Sequence, residues 1–210
     1  MKISGKLKHV PLRRYLAFQN DMRIRRKEII VIMEHVPVIT AGINYNKENL
    51  LVSAEFLQKQ GIEFMELKRG GDLTAHESGQ LCIYPHLDLK KRGLKISDYS
   101  NLLLESVRLA VKDTWGLATV ADKKKPGLYL EHAPEKKLVS IGLDCKGYFS
   151  SFGVAVNLAN SKDVFRLIRP CGEEAENIVT LKMLGYDAAR ENEFIQGFNT
   201  HFRRNLHVGD

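Results

Sequence analysis

Cysteine is scarce in this chain, with three residues in 210, at positions 82, 145 and 171. Their wide spacing builds neither a disulfide framework nor a paired metal-ligand motif, and no metal is expected. Thiols so placed belong in a reducing compartment, where they stay available for chemistry. Long apolar runs are absent too: none approaches the roughly 18 residues that a membrane helix needs. The chain has no GxxxxGK[ST] phosphate loop and no GxGxxG fingerprint, which removes two common nucleotide-binding designs. It also lacks internal repeats, low-complexity tracts and Pro/Ser-rich linkers. Residues 1–210 are therefore expected to form one domain. No acidic residue precedes Asp21. A transit peptide shares that bias, but strand and helix patterns begin almost at once, and a mature cytoplasmic start is the expectation.

Positive charge is in excess. Thirty-two Lys and Arg oppose 25 Asp and Glu, for a net charge of +7. Basic clusters lie at Lys90, Lys91 and Arg92, at 123–125, and at Lys136 and Lys137. Such a field attracts anionic partners and speeds their arrival. Nucleic acid is disfavoured, because the aromatics are not interleaved with the basic clusters as a base-stacking surface requires. Acidic protein partners explain the charge equally well, and so does an ordinary solvated surface.

The hydrophobic pattern mixes periods. "EIIVIMEHVPVITAG" reads as one buried strand ending at Gly42. "SAEFLQKQG" reads as a short helix capped by Ser53 and stopped by Gly61. "IEFMEL" and "LCIYP" read as strands on either side of a glycine-rich segment. Ser97 is expected to open a long helix with Tyr99, Leu102, Leu103, Val107, Ala110 and Val111 on one face, ending near Trp115–Gly116. Four short strands follow in "LATVA", "GLYL", "LVSIGL" and "FGVAVNL". Helices are expected in "SKDVFRLI", after Thr180, and over 188–206, where Phe194, Phe198, Phe202 and Leu206 share a face. Without strict βαβ alternation this is an α+β fold, not a doubly wound sheet.

Three segments carry chemistry. In "FRLIRPCGEE", Cys171 stands between a proline that fixes its own φ and a glycine that opens unusual backbone conformations. A thiol there is well placed to meet something, although a free cysteine often merely fills space. In "KRGGDLTAHESGQLCIYPHLDL", Arg69, Gly70 and Gly71 set backbone amides beside a guanidinium, an arrangement suited to phosphate, carboxylate or carbonyl oxygen. Thr74, His76 and Gln80 add polar groups, though a lone histidine is more often a structural hydrogen-bonder. In "EKKLVSIGL", Lys137 leads an apolar strand. It is either a charge guarding a strand edge or an inward-drawn amine able to carry protons.

Together the segments resemble the octanoyl-[acyl carrier protein]:protein N-octanoyltransferase family, also called lipoyl(octanoyl) transferase or lipoate–protein ligase B. The likeness runs from "YLAFQ" and "MEHVPVITAG" through "RGGDLTAHESGQLCIYPHLDLKKRGLKISDY" and "KKLVSIGL" to "GVAVNL" and "IRPCG". It implies a biotin/lipoate protein ligase-like fold, a mixed β-sheet packed with helices. It implies that Cys171 is the acyl-accepting nucleophile, and that Lys137 favours its thiolate and serves as general acid and base. The acyl site is implied at Arg69, Gly70, Gly71, Asp72, Leu73, Thr74, Ala75 and His76, with Ser140, Ile141 and Gly142 and with Gly153, Val154 and Ala155. The donor would be octanoyl-acyl carrier protein. The acceptors would be lysines of lipoyl domains, in 2-oxoacid dehydrogenase E2 subunits and the glycine cleavage H protein. A monomer with no cofactor is expected: an incoming thioester is already activated, so neither ATP nor metal is required.

That cycle agrees with elementary chemistry. A thiolate takes an acyl group from another thioester at nearly constant free energy. An amine then converts the new thioester into a stable amide. Two departures from the family pattern stand out. "HESGQ" replaces His-Gly-Pro-Gly-Gln, placing Glu77 and Ser78 there, and Phe152 stands where a histidine usually precedes the Gly-x-Ala-x-Asn strand. Cys82 and Cys145 match no role and read as packing residues. The rivals are an ATP-dependent lipoate ligase of the same fold, against which "RPCG" argues, and a basic binding module without catalysis.

Overall fold

The structure is a computed structural model that describes residues 2–122 and 124–206. In chain order the strands and helices are β1 (Lys2–Ile3), β2 (Leu7–Val10), α1 (Leu12–Ile24), β3 (Ile29–His35), β4 (Val38–Ala41), α2 (Ala54–Lys59), β5 (Glu63–Glu66), β6 (Leu73–His76), β7 (Gln80–His86), α3 (Ile96–Trp115), β8 (Thr119–Ala121), β9 (Gly127–Leu130), β10 (Ala133–Asp144), β11 (Ser151–Asn157) and α4 (Glu191–Leu206). An eight-stranded mixed sheet has the order β1-β3-β7-β11-β10-β9-β8, with β2 also beside β3. A three-stranded sheet, β5-β4-β6, stands apart from it. β1 and β2 run parallel to β3, and the pairs from β3 across to β8 are antiparallel.

Each face of the large sheet has its own cover. Helices α3 and α4 pack on one face, where Leu103, Val107 and Val111 meet Phe194, Phe198 and Phe202 and the inward residues Ile83, Val139, Val154 and Val156. The apolar face expected over 188–206 is the one buried, with Leu206 partly covered. On the opposite face Tyr15 of α1 packs with Val31, Met33, Cys82, Tyr84, Phe152 and Ala155. The small sheet has a separate core of Ile39, Ala41, Leu73, Ala75, Phe165, Ile168 and Ile178.

Several expectations need correction. The run ending at Gly42 is two strands in different sheets, because Pro37 supplies no amide to continue a ladder and the chain leaves one sheet for the other there. Helix α3 starts at Ile96, one residue before Ser97; the capping position is Lys95, with no side-chain cap, and the Ser97 hydroxyl turns to the Asp98 carboxylate at 3.2 Å. On that helix Leu104 is buried and Leu102 only half-buried. "SKDVFRLI" holds just one 3₁₀ turn, Phe165–Leu167. The amides of Lys162 and Val164 are taken by the Glu77 carboxylate at 2.8 and 3.4 Å, and Lys162 has φ 68°, so a helix cannot start there. After Thr180 the chain makes turns that end at Gly185, with φ 81°, and no helix forms.

Candidate active site

Cys171 lies on a 3₁₀ turn, Pro170–Gly172, tied by the Gly172 amide to the Arg169 carbonyl at 3.1 Å. Its φ is 56° and that of Gly172 is 76°. Two left-handed residues in succession explain the glycine, and a non-glycine residue held there marks stored backbone strain. The thiol is exposed. The turn is anchored from outside: the Arg169 amide donates to the Asn49 carbonyl at 2.7 Å, and Asn49 donates through Nδ2 to Asp72 at 2.5 Å. Asp72 therefore reaches the cysteine turn through Asn49.

Lys137 is not a solvated edge residue. It is 4% exposed, at a bulge where Lys137 and Val139 of β10 oppose the adjacent residues Tyr129 and Leu128 of β9. A bulge re-aims side chains that strict alternation would send outward. Lys137, Leu138 and Val139 are consequently all buried. The aliphatic stem lies over Gly127, where a Cβ would stand 3.3 Å from Lys137 Cε. The ammonium sits 4.9 Å from the centroid of the Tyr129 ring and 3.8 Å from the Glu173 carboxylate. Glu173 also accepts from Lys125 at 2.5 Å. Neither Glu173 nor Tyr129 was singled out from the sequence; a carboxylate two residues past the cysteine was the available signal. The Tyr129 hydroxyl is buried with no hydrogen-bond partner among the described residues. Burial pushes its pKa up, and the neighbouring Glu173 and Cys171 add to that.

Cys171, Lys137, Glu173 and Lys125 line one cleft of about 490 Å³, together with Gly70, Gly71, Asp72, Ile141, Gly142 and the start of α3. Of the expected basic cluster at 123–125, Lys124 and Lys125 lie here and Lys123 falls outside the described residues. Behind this mouth is a narrow slot of about 40 Å³, lined by Arg69, Thr74, His76, Tyr84, Ser140, Phe152, Gly153, Val154 and Ala155, and again by Ile141 and Gly142. Ser140 pairs with Ala155 and Gly142 with Gly153 across β10 and β11. The segments implied from the sequence thus converge on two cavities that share Ile141 and Gly142 in their walls. Leu73 and Ala75 do not line them; strand alternation turns their side chains into the core of the small sheet, while Thr74 and His76 face the slot.

Burial fixes the electrostatics of the slot. Arg69 does not offer a free guanidinium beside open amides. It is 6% exposed and donates to Thr40 Oγ1 and to the carbonyls of Thr40, Gly70 and Asp72, while the Gly70 amide is taken by the Leu143 carbonyl. Arg69 is the clamp that shapes the loop, and its stem packs where a Gly142 Cβ would stand. His76 is pushed down to about 3 by burial, with the neighbouring His35 adding to the effect, and its Nδ1 lies 2.7 Å from Gln80 Oε1. Burial drives the Cys82 thiol up to about 12 and Cys145 up to about 11. A thiolate at either is disfavoured. Of the two departures, Glu77 points away from the slot, its carboxylate binding Asn160, Ser161 and the Lys162 amide. Phe152 stands in the slot wall.

Residues 11–203 match the model of the lipoyl protein ligase A/B catalytic domain. The chain belongs to that family. Among curated members, an octanoyltransferase of Leptospira borgpetersenii is 50% identical over 190 residues, covering 90% of this chain and 87% of that one. Solved structures share the ligase-family fold at low identity. A bi-partite lipoate protein ligase from Thermoplasma acidophilum, studied with its E2 lipoyl domain, superposes with a TM-score of 0.71 at 15% identity, over 98% of this chain and 84% of that one. The biotin protein ligase of Aquifex aeolicus, in complex with biotin and ATP, gives 0.56 at 11% identity, over 97% and 68%. No helix among the described residues is long and apolar enough to cross a membrane.

Proposed function

We propose that this family member is an acyltransferase that moves an octanoyl group from a carrier thioester onto a lysine of a lipoyl domain, by way of Cys171. The observation that carries the reading is the shared cleft: an exposed thiol on a strained turn and a buried amine line one cavity, which shares Ile141 and Gly142 with a narrow slot. The Cys171 thiolate attacks the thioester carbonyl, the carbon–sulfur bond to the carrier breaks, and the carrier thiolate leaves with a proton. An acceptor lysine amine then attacks the Cys171 thioester; the amide forms, and the thiol of Cys171 is regenerated. In the first half one proton passes from the Cys171 thiol to the departing carrier sulfur, and in the second one passes from the acceptor amine to the Cys171 sulfur; Lys137, which lines the same cleft, is the group assigned to carry both.

The mouth also suits the partners. Lys124 and Lys125 rim it, and carrier proteins and lipoyl domains are generally acidic, which favours encounter. Octanoyl-acyl carrier protein as donor, the lipoyl domains of E2 subunits and the glycine cleavage H protein as acceptors, action as a monomer and a cytoplasmic location complete the reading.

Intact-mass measurement after mixing with octanoyl-acyl carrier protein tests it. One octanoyl group should appear on the protein and move to a lipoyl domain added afterwards. Cys171→Ser should abolish the adduct while Cys82→Ser and Cys145→Ser keep it. ATP-dependent release of pyrophosphate with free octanoate would favour a ligase instead.

A further inference from the structure

Phe152 belongs to two cavities at once. It lines the slot behind Gly142, and it also lines a second cleft of about 400 Å³ with Leu16, Gln19, Arg23, Lys68 and Lys146. The side chain is 5% exposed, its ring 5.4 Å from that of Tyr15 and 5.9 Å from that of Tyr84. It is therefore the shared wall between a small hole and a larger opening in which Arg23, Lys68 and Lys146 stand with Asp144.

The backbone at this wall is unusual. Phe152 has φ 58°, a conformation natural to glycine and rare for a bulky residue. The Phe152 amide is held by the Tyr15 hydroxyl at 2.9 Å. A backbone that glycine would adopt freely carries an aromatic ring, and the ring's work is to fill the partition.

We propose that Phe152 is the stop that sets the length of the acyl chain. The inference rests on the reading above, in which the carbonyl carbon is bound at Cys171. Mouth and slot share Ile141 and Gly142, so a chain that starts at Cys171 passes these residues and ends its tail in the slot. A slot of about 40 Å³ with a rigid aromatic end leaves little room for added carbons. Each methylene too many or too few in a closed apolar pocket changes selection by roughly tenfold or more. Removing the ring joins the slot to the second cleft and takes away that penalty.

The experiment uses pantetheine thioesters of hexanoyl, octanoyl, decanoyl and dodecanoyl groups. The readouts are the acyl mass on the enzyme and on an added lipoyl domain. Phe152→Gly suits the local φ and should raise the dodecanoyl-to-octanoyl ratio at least tenfold. Phe152→Leu, which keeps an apolar but shorter side chain, should shift it the same way by less. If either variant fails to fold, as read by its thermal transition, the other decides. Unchanged ratios in a folded variant that still forms the Cys171 octanoyl adduct would overturn the length stop. Absence of that adduct in the unmodified protein would instead overturn the thioester reading.

Discussion

The mouth and the slot share Ile141 and Gly142 of one strand in their walls, yet they treat ionisable groups in opposite ways. In the mouth, opposite charges are paired: Lys125 and Lys137 share the carboxylate of Glu173. In the slot, burial without a counter-charge favours the neutral form, with His76 near 3 and Tyr84 raised well above its ordinary value. Arg69 is the exception, and its hydrogen bonds go to the protein itself. The difference teaches a division of labour. The proposed proton transfer belongs where Lys137 stands beside the Glu173 carboxylate, whereas the slot joins the apolar surface of Phe152 and Val154 to the polar groups of Thr74 and Ser140.

The sharpest way to break this contrast is Lys137→Arg. Arginine keeps the mouth's charge but cannot give up its proton in a protein. Loss of general acid–base help costs about 10²–10⁴-fold, so turnover should fall by that range while carrier binding, followed by titration calorimetry, changes little. Near-normal turnover would return Lys137 to a role as charge alone.

Glu173→Gln comes next. Its carboxylate stands 3.8 Å from the Lys137 ammonium, an ion pair and not a hydrogen bond, so removing that charge should lower kcat by about tenfold, equivalent to about 1.4 kcal/mol, with KM for the carrier nearly constant. An unchanged kcat would remove Glu173 from the machinery.

A third test concerns acid and the neutral interior. Unfolded, His76 takes up a proton near 6.5; folded, only near 3, and His86 only near 4. Between those values the unfolded chain binds more protons, so stability rises with pH and is lost as pH falls from 6.5 towards 4. Each such histidine adds about 1.4 kcal/mol per pH unit to the slope. Urea midpoints at pH 7, 6 and 5 should fall progressively; equal midpoints would contradict buried histidines held neutral.

The smallest expected effect is that of Lys136→Ala. The Lys136 ammonium leans on the Glu176 carbonyl and Asn177 at 3.4 Å, away from the cleft, and its removal should change turnover by less than about twofold, as surface substitutions usually do.

Much of this was legible in the residues, for identifiable reasons. The helices α3 and α4 announce themselves by period, and Gly116, with φ 69°, ends α3 where a glycine stop was expected. The site segments could be named because Pro-Cys-Gly, Arg-Gly-Gly and Lys-x-x-Ser-Ile-Gly are unusual together. What stayed hidden depends on long-range geometry. The inward turn of Lys137 comes from a bulge set by β9, which no local pattern records. The break at Val36–Pro37 separates two sheets within one apolar run. Glu77 reads as an intruder in a glycine-rich motif and proves to be the anchor of the 160–164 loop, more than eighty residues away along the chain. Glu173 matters only once the turn at Cys171 folds its carboxylate over Lys137.

The most direct test sets mouth against slot in one experiment: Lys137→Arg and Phe152→Gly, each assayed with octanoyl and dodecanoyl thioesters. The mouth should control rate and the slot selection. Lys137→Arg should slow both substrates by the same factor and leave their ratio intact, whereas Phe152→Gly should change the ratio at least tenfold. A Lys137→Arg protein with altered chain-length preference, or a Phe152→Gly protein slowed equally on both substrates, would contradict the separation of chemistry from measure.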